Sequence, residues 1–185
     1  MPVKYGLERE FEEELASAPV IRVRYVRGRY GEFESEPGME AFDPSPPPPG
    51  TTLLTNFPFG QATISAQHRS LISREAASAV GRMPSAPPFG YCIFIDVEGH
   101  EDEVGDPAQF RRVGAARAVA VARILTERLK QLILRLPSSS RREVRITVST
   151  AGPARPIRSN STAEGRALNR RVELRTRVAP CGTIV

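Results

Sequence analysis

The chain has 185 residues, two cysteines and a formal net charge of +5. That length can bury a core without disulfides or metals, as one domain with an extension or as two small domains. Two cysteines are too few for a disulfide framework, no apolar run approaches a membrane span, and the acidic start MPVKYGLEREFEEEL shows neither an apolar export segment nor a lipid-attachment cysteine.

The charge is unevenly spread. Residues 1–50 carry six Lys/Arg against ten Asp/Glu, and the remainder carries 20 against 11. A basic module behind an acidic arm fits an anionic polymer, or simply an arginine-rich surface in water.

Residues 4–16 predict a short charged helix, because Leu7, Phe11 and Leu15 recur at every fourth position. Ile21, Val23 and Tyr25 then alternate with Arg22 and Arg24, and Gly28 and Gly31 offer a turn, which predicts a β-hairpin. Residues 43–50 (DPSPPPPG) contain four consecutive prolines, which can join neither a ladder nor a helix interior. They read as a linker, or as an ordered arm along the surface.

Past the prolines, TTLLTNFPF predicts a strand entering a turn. Residues 64–82 predict a helix with Ile64, Leu71, Ile72, Ala76 and Val80 near one face. YCIFIDVEGH is rich in β-branched and aromatic residues and predicts a strong strand, with Cys92 as a small apolar core residue; a single bridge to Cys181 is the alternative, which sequence cannot argue. Residues 107–135 predict the longest helix, with Pro107 in its first turn and Val113, Ala120, Ile124 and Leu132 on its buried side. EVRITVST places Val144, Ile146 and Val148 inward. A short helix from about Thr162 follows, then a last strand with Val172, Leu174, Thr176 and Val178 on one face. The order is β-α-β-α-β-(α)-β. It predicts an α/β sandwich with one mixed four-stranded sheet packed by helices and an N-terminal helix/hairpin extension. The implied units are residues 1–42, the linker 43–50, the domain 51–178 and a tail, 179–185.

Two motifs stand out. VEGHEDEVG is followed by GAARAVAV, and NSTAEGRALNRRVEL comes later. Together they resemble the OmpA-like peptidoglycan-binding domain over residues 51–178. That family's pattern is a strand ending Gly-His-Thr-Asp, a helix opening Leu-Ser-x-x-Arg-Ala, and a late Asn-x-Thr-x-x-Gly-Arg-x-x-Asn-Arg-Arg-Val-Glu. This chain supplies Gly99, His100, Asp102 and Gly105, then Gly114, Arg117 and Ala118. It then supplies Asn160, Thr162, Gly165, Arg166, Asn169, Arg170, Arg171, Val172 and Glu173. Glu101 stands at the usual Thr and Phe110 at a common Asn, while Pro58 and Gly60 replace acidic residues after the first strand. Residues 1–50 carry none of that pattern.

One carboxylate and one guanidinium, from a strand end and the following helix, match an amino-acid zwitterion. Asp102 would accept from an ammonium and Arg117 would hold a carboxylate in a bidentate fork. The resemblance implies that this zwitterion is the end of diaminopimelate in the peptidoglycan stem peptide. Backbone amides around Val104 and Gly105 would add donors. Gly114, Asn160, Arg170 and Arg171 read as supporting residues: the late motif braces the sheet and loops, with Thr162 or Asn160 capping the helix and one of the two arginines turned towards the site, the other outward.

Other chemistries find less in the sequence. His68 lies in a polar helical stretch and is expected to be solvated, and His100 to hydrogen-bond locally. Neither makes metal spacing with the cysteines, and no phosphate loop or nucleophile elbow appears, so no cofactor, metal or enzymatic activity is implied. The arginines invite nucleic acid, but aromatics form only 6% of the chain and are not interleaved with them, which argues against stacking platforms. The remaining alternative is a degenerate site in an assembly module that meets a protein partner through residues 1–50. The family implies the periplasm or cell envelope. The missing export segment leaves a cytoplasmic location or another export route open.

Overall fold

The computed structural model describes residues 11–13, 21–26, 46–87, 89–104 and 107–182. Six strands form one mixed sheet: β1 (Phe11–Glu13), β2 (Ile21–Tyr25), β3 (Thr52–Leu54), β4 (Tyr91–His100), β5 (Val144–Gly152) and β6 (Val172–Pro180). Their order is β1-β2-β5-β4-β6-β3. The helices are α1 (Ala66–Gly81), α2 (Pro107–Ile133) and α3 (Ala163–Asn169).

The centre of the sheet is β5-β4-β6. β4 and β5 run parallel, joined by the crossover helix α2, and β6 returns antiparallel to β4. Alternation decides the layers. Ile93, Ile95 and Val97 of β4, Val144, Ile146 and Val148 of β5, and Val172 and Leu174 of β6 enter one core. Ile72, Ala76, Ala79 and Val80 of α1 and Ala118, Val121, Ala122, Leu125, Leu129 and Ile133 of α2 complete it. On Phe94, between these core positions of β4, the guanidiniums of Arg177 and Arg145 lie 4.5 and 5.7 Å from the ring centre. Aromatic–cation contact thus covers an apolar ring on the other side of the sheet.

The sheet is wider than four strands. β2 pairs parallel with β5 from Ile21↔Val144 to Tyr25↔Val148, and β1 pairs antiparallel with β2. Residues 11–13 are therefore strand, where the four-residue spacing predicted helix. A stripe that short barely stabilises an isolated helix, and β2 offers unpaired backbone groups. Both edges of Ile21–Val23 are taken, so those residues have no free edge for a downstream hairpin partner. The proposed turn at Gly28 and Gly31 lies outside the described residues.

The buried stripe of α2 is also displaced from the predicted one. Val113, Ala120, Ile124 and Leu132 are only half-buried and flank the line from Gly114 through Arg117, Ala118, Val121 and Leu125 to Leu129 and Ile133. The true stripe contains glycine, alanine and an arginine, so counting bulky apolar residues selects its rim.

Two close contacts fix the sheet. Cys92, fully buried, forms a disulfide with Cys181, so it is not a free core thiol. The bond ties the start of β4 to the residue after β6. At the other end of β4, a Cβ on Gly99 would lie 2.1 Å from the carbonyl oxygen of Gly114. Only a residue without a side chain lets α2 approach β4 there.

Reducing the disulfide is expected to lower the unfolding free energy by about 2–4 kcal/mol, read from denaturant midpoints with and without reductant. Gly99→Ala is expected to cost at least about 1–3 kcal/mol, because the obstructing atom is backbone and cannot turn aside; thermal unfolding of the purified variant checks it.

Candidate ligand-binding site

The site forms where β4 ends. Glu101 and Asp102 follow β4 directly, Arg117 comes from about the third turn of α2, and Arg170 from the junction of α3 and β6. β4 and β5 shift register between Gly99 and His100, and the Glu101 amide donates to the Gly152 carbonyl. Thr150 Oγ1 donates to the Gly99 carbonyl at 3.0 Å. These bonds hold the strand end while the chain turns away from the sheet.

Arg117 is fully buried. Its Nε donates to the Gln61 carbonyl at 2.7 Å and its Nη2 to the Pro58 carbonyl at 2.9 Å. Its Nη1 donates to Glu101 Oε2 at 2.9 Å and, more weakly, to the His100 carbonyl at 3.4 Å. The guanidinium also lies 5.2 Å from the centre of the Phe57 ring. Arg117 thus fastens the 57–61 loop to the strand end, and four of its five N–H groups are engaged.

Asp102 is 1% exposed, and its carboxylate meets Arg170 rather than Arg117. Arg170 Nη1 donates to Asp102 Oδ2 at 2.6 Å, and its Nε donates to the Phe57 carbonyl at 2.8 Å. The Val104 amide donates to Asp102 Oδ1 at 3.2 Å, so it serves the loop itself. Gly105 lies outside the described residues. The structure thus gathers Glu101, Asp102, Arg117 and Arg170 into two adjacent ion pairs of zero net charge.

Burial shapes their titration. It pushes the Glu101 carboxyl up from 4.5 to about 7, although Arg117 pulls the other way. The same burial lowers the Arg117 guanidinium from its ordinary value, with Glu101 opposing. Both directions say that desolvation outweighs the attraction within the pair. Glu101 Oε1 is buried with no hydrogen-bond partner.

The other residues of the two motifs build the frame. Thr162 caps α3 by accepting from the Gly165 amide at 3.0 Å. A Cβ on Gly165 would lie 1.9 Å from the Ser159 carbonyl oxygen, so this glycine lets α3 start against the preceding loop. Asn169 accepts from the Ile157 and Arg158 amides and donates to the Arg158 carbonyl and to Asn160 Oδ1. Asn160 is thereby a loop partner. One of the two arginines is expected to face outward, but with Arg170 on the site Arg171 is 1% exposed: it donates to Glu173 Oε1 at 2.9 and 2.6 Å and to the Arg155 carbonyl at 2.9 Å. Charged residues enter a strand's buried face when partners are supplied there, and alternation alone cannot show this.

Both histidines are buried. His68 is 3% exposed, shares a capping box with Ser65, donates from Nε2 to the Thr55 carbonyl at 2.7 Å and stacks on Phe57 at 4.2 Å. Its helix is polar in composition, but this turn faces the 55–57 segment. His100 Nε2 lies 3.3 Å from Glu173 Oε1 and 3.6 Å from Glu98 Oε2, without hydrogen-bond geometry at either ring nitrogen. Burial is the main cause lowering its pKa. Glu98, His100 and Glu173 are close enough to share a metal ion. However, Arg155 pairs with the same Glu98 oxygen and Arg171 with the same Glu173 oxygen. Two guanidiniums hold the lone pairs a cation would need and repel it, so the donor set fits a buried ionic brace.

The sequence signal missed here was Glu101 itself. Next to Asp102 and sixteen residues before a helical arginine, it had the same claim on Arg117 as a ligand carboxylate.

The Glu101 shift has a consequence for stability. The unfolded carboxyl releases its proton near 4.5 and the folded one near 7, so the folded state holds more protons between those values. The stability contribution of Glu101 is therefore fully present below 4.5 and is lost as pH rises towards 7. Denaturant unfolding from pH 4.5 to 8 should show the native chain losing stability relative to Glu101→Gln across that window.

The OmpA family model matches residues 56–170, which include Glu101, Asp102, Arg117 and Arg170. Outer membrane porin F of Pseudomonas aeruginosa is 38% identical over 77 residues, 42% of this chain and 19% of the relative. The probable lipoprotein YiaD of Escherichia coli is 40% identical over 80 residues, 43% of this chain and 32% of the relative. The chain thus spans a third or less of the length of these curated relatives. Among solved structures, the peptidoglycan-associated lipoprotein from Burkholderia pseudomallei is 21% identical with a TM-score of 0.49, covering 66% of this chain and 88% of that one. With the family model covering more than half of its length, the chain belongs to the OmpA family.

Proposed function

We propose that the chain binds peptidoglycan non-covalently, through the diaminopimelate end of the stem peptide, and anchors a protein or complex to the cell wall. The observation that carries this reading is the convergence of Glu101, Asp102, Arg117 and Arg170 on the loop after β4. Two carboxylates and two guanidiniums in register are complementary to a zwitterion, whose carboxylate and ammonium can each replace one internal partner. Asp102 would take the ammonium and Arg117 the carboxylate. Arg170 would orient Asp102, and Gly114 would leave room beneath the loop. Membership of the OmpA family supports the same ligand.

The cell envelope is the proposed location. Disulfides persist in oxidising compartments, and Cys92–Cys181 closes two adjacent strands of the central sheet. Among the described residues, no helix is long and apolar enough to cross a membrane. A protein partner acting through residues 1–50 would have to leave Ile21–Val23 in place, because both of its edges are already paired.

A second reading is favoured by the closure of the site. Arg117 and Asp102 are buried and satisfied by the protein's own groups, as in a fold kept for assembly with its ligand site closed.

Co-sedimentation with diaminopimelate-containing sacculi tests both. The native chain is expected to pellet, and Asp102→Ala and Arg117→Ala, each confirmed as folded by circular dichroism, are expected to lose at least about tenfold in affinity. A native chain that stays in the supernatant at every pH from 5.5 to 8 rejects wall binding and leaves the assembly module.

A further inference from the structure

The buried Glu101 has no evident structural need to be an acid. Its Oε1 has no partner, it is 4% exposed, and burial outweighs its attraction to Arg117. Such a group normally costs stability. What it does is occupy Arg117, supplying the one anionic hydrogen-bond acceptor that this guanidinium has among the described residues.

Space has been made for it. A Cβ on Gly114 would fall 3.3 Å from Glu101 Oε1, 3.5 Å from its Cγ and 2.8 Å from Thr150 Oγ1. Even a methyl group on α2 at this point would crowd the glutamate side chain. The bare backbone on the helix and the long acid on the strand end therefore fit each other.

We propose that Glu101 is an internal carboxylate that holds Arg117 in the place of a ligand's, so that an acidic ligand gains Arg117 only when Glu101 is displaced or neutralised. Glu101 then sets the selectivity of the site. With its charge in place, a ligand carboxylate entering beside it meets a neutralised guanidinium and an added negative charge. With the charge removed, Arg117 and Arg170 stand against Asp102 alone, and the site carries one net positive charge. This deepens the peptidoglycan reading and rests on it.

Proton uptake is the available route to neutrality. Among the described residues, the charged groups that act on Glu101 are Arg117 from α2, Arg170 from the junction of α3 and β6, and Asp102 beside it in the chain; the His100 ring turns to Glu98 and Glu173 instead. Thr150 of β5 and the carbonyls of Pro58 and Gln61 are uncharged. A fall in pH through about 7 discharges Glu101 and frees Arg117 of its acid partner.

The test is sacculus binding by the full chain, its Glu101→Gln and Glu101→Thr variants and Arg117→Ala, at pH 6, 7 and 8, with folding checked by thermal unfolding. Glu101→Gln keeps the shape, and Glu101→Thr removes the reach. At pH 8 both are expected to bind on the order of tenfold more tightly than the native chain. The native chain should gain affinity towards pH 6, and Glu101→Gln should stay flat. A merely structural glutamate would give neither the gain nor the flattened profile. If the native chain pellets and folded Glu101→Gln and Glu101→Thr bind no better at pH 8, the proposal is overturned and the wall reading stands. If neither the native chain nor any variant pellets, the wall reading falls and takes this inference with it. If only the Glu101 variants pellet, Glu101 is the gate and the native site is closed.

Discussion

Gly99 and Gly114 meet with no side chain between them, and the geometry of the site follows from that contact. A helix packed on a sheet through ordinary side chains would hold its axis further away. Here the carbonyl of Gly114 lies where a β4 side chain would begin. Less than a turn later on the same face of α2, Arg117 is delivered against the end of β4 and can reach Glu101, the His100 carbonyl and the 57–61 loop together. The disulfide at the far end of β4 restrains the same strand from the other side.

Arginine is the principal fastener of this fold. Arg117 and Arg170 bind the carbonyls of Phe57, Pro58 and Gln61, and Arg171 binds that of Arg155. Arg142, 7% exposed, gathers the carbonyls of Ala86, Pro87, Ser139 and Arg141. Each uses a planar fork of donors to satisfy loop carbonyls that no ladder reaches. Part of the chain's basic character is thus spent inside the structure. That weakens any argument from net charge to an anionic polymer.

The site joins this framework to a liability. Four charged groups lie side by side, and burial disfavours the charged form of Glu101 and of Arg117. A purely structural solution would use apolar side chains of the same volume. Under the proposed function, the ionic arrangement is one in which a zwitterion would replace like with like, and the groups that hold the 57–61 loop are the ones it would have to displace.

The sequence by itself determined the family, the helix–strand order from residue 51 onward and the faces of β5 and β6. These depend on local period and on motif residues whose spacing survives without knowledge of contacts. It also marked Gly99, Gly114, Gly165, Asp102, Arg117 and Arg170. Tertiary structure alone decided who pairs with whom. Asp102 and Arg117 are fifteen residues apart and of opposite charge, yet Asp102 meets Arg170, and Arg117 meets its nearer acid, Glu101. The width of the sheet was equally hidden, since β2 pairs with β5 across more than a hundred residues. So were the burial of His68 and Arg171 and the bond between Cys92 and Cys181. Pattern reports which face of an element is apolar. Which polar groups are brought within hydrogen-bonding distance is decided by how closely the elements pack, and here that distance was set by two glycines.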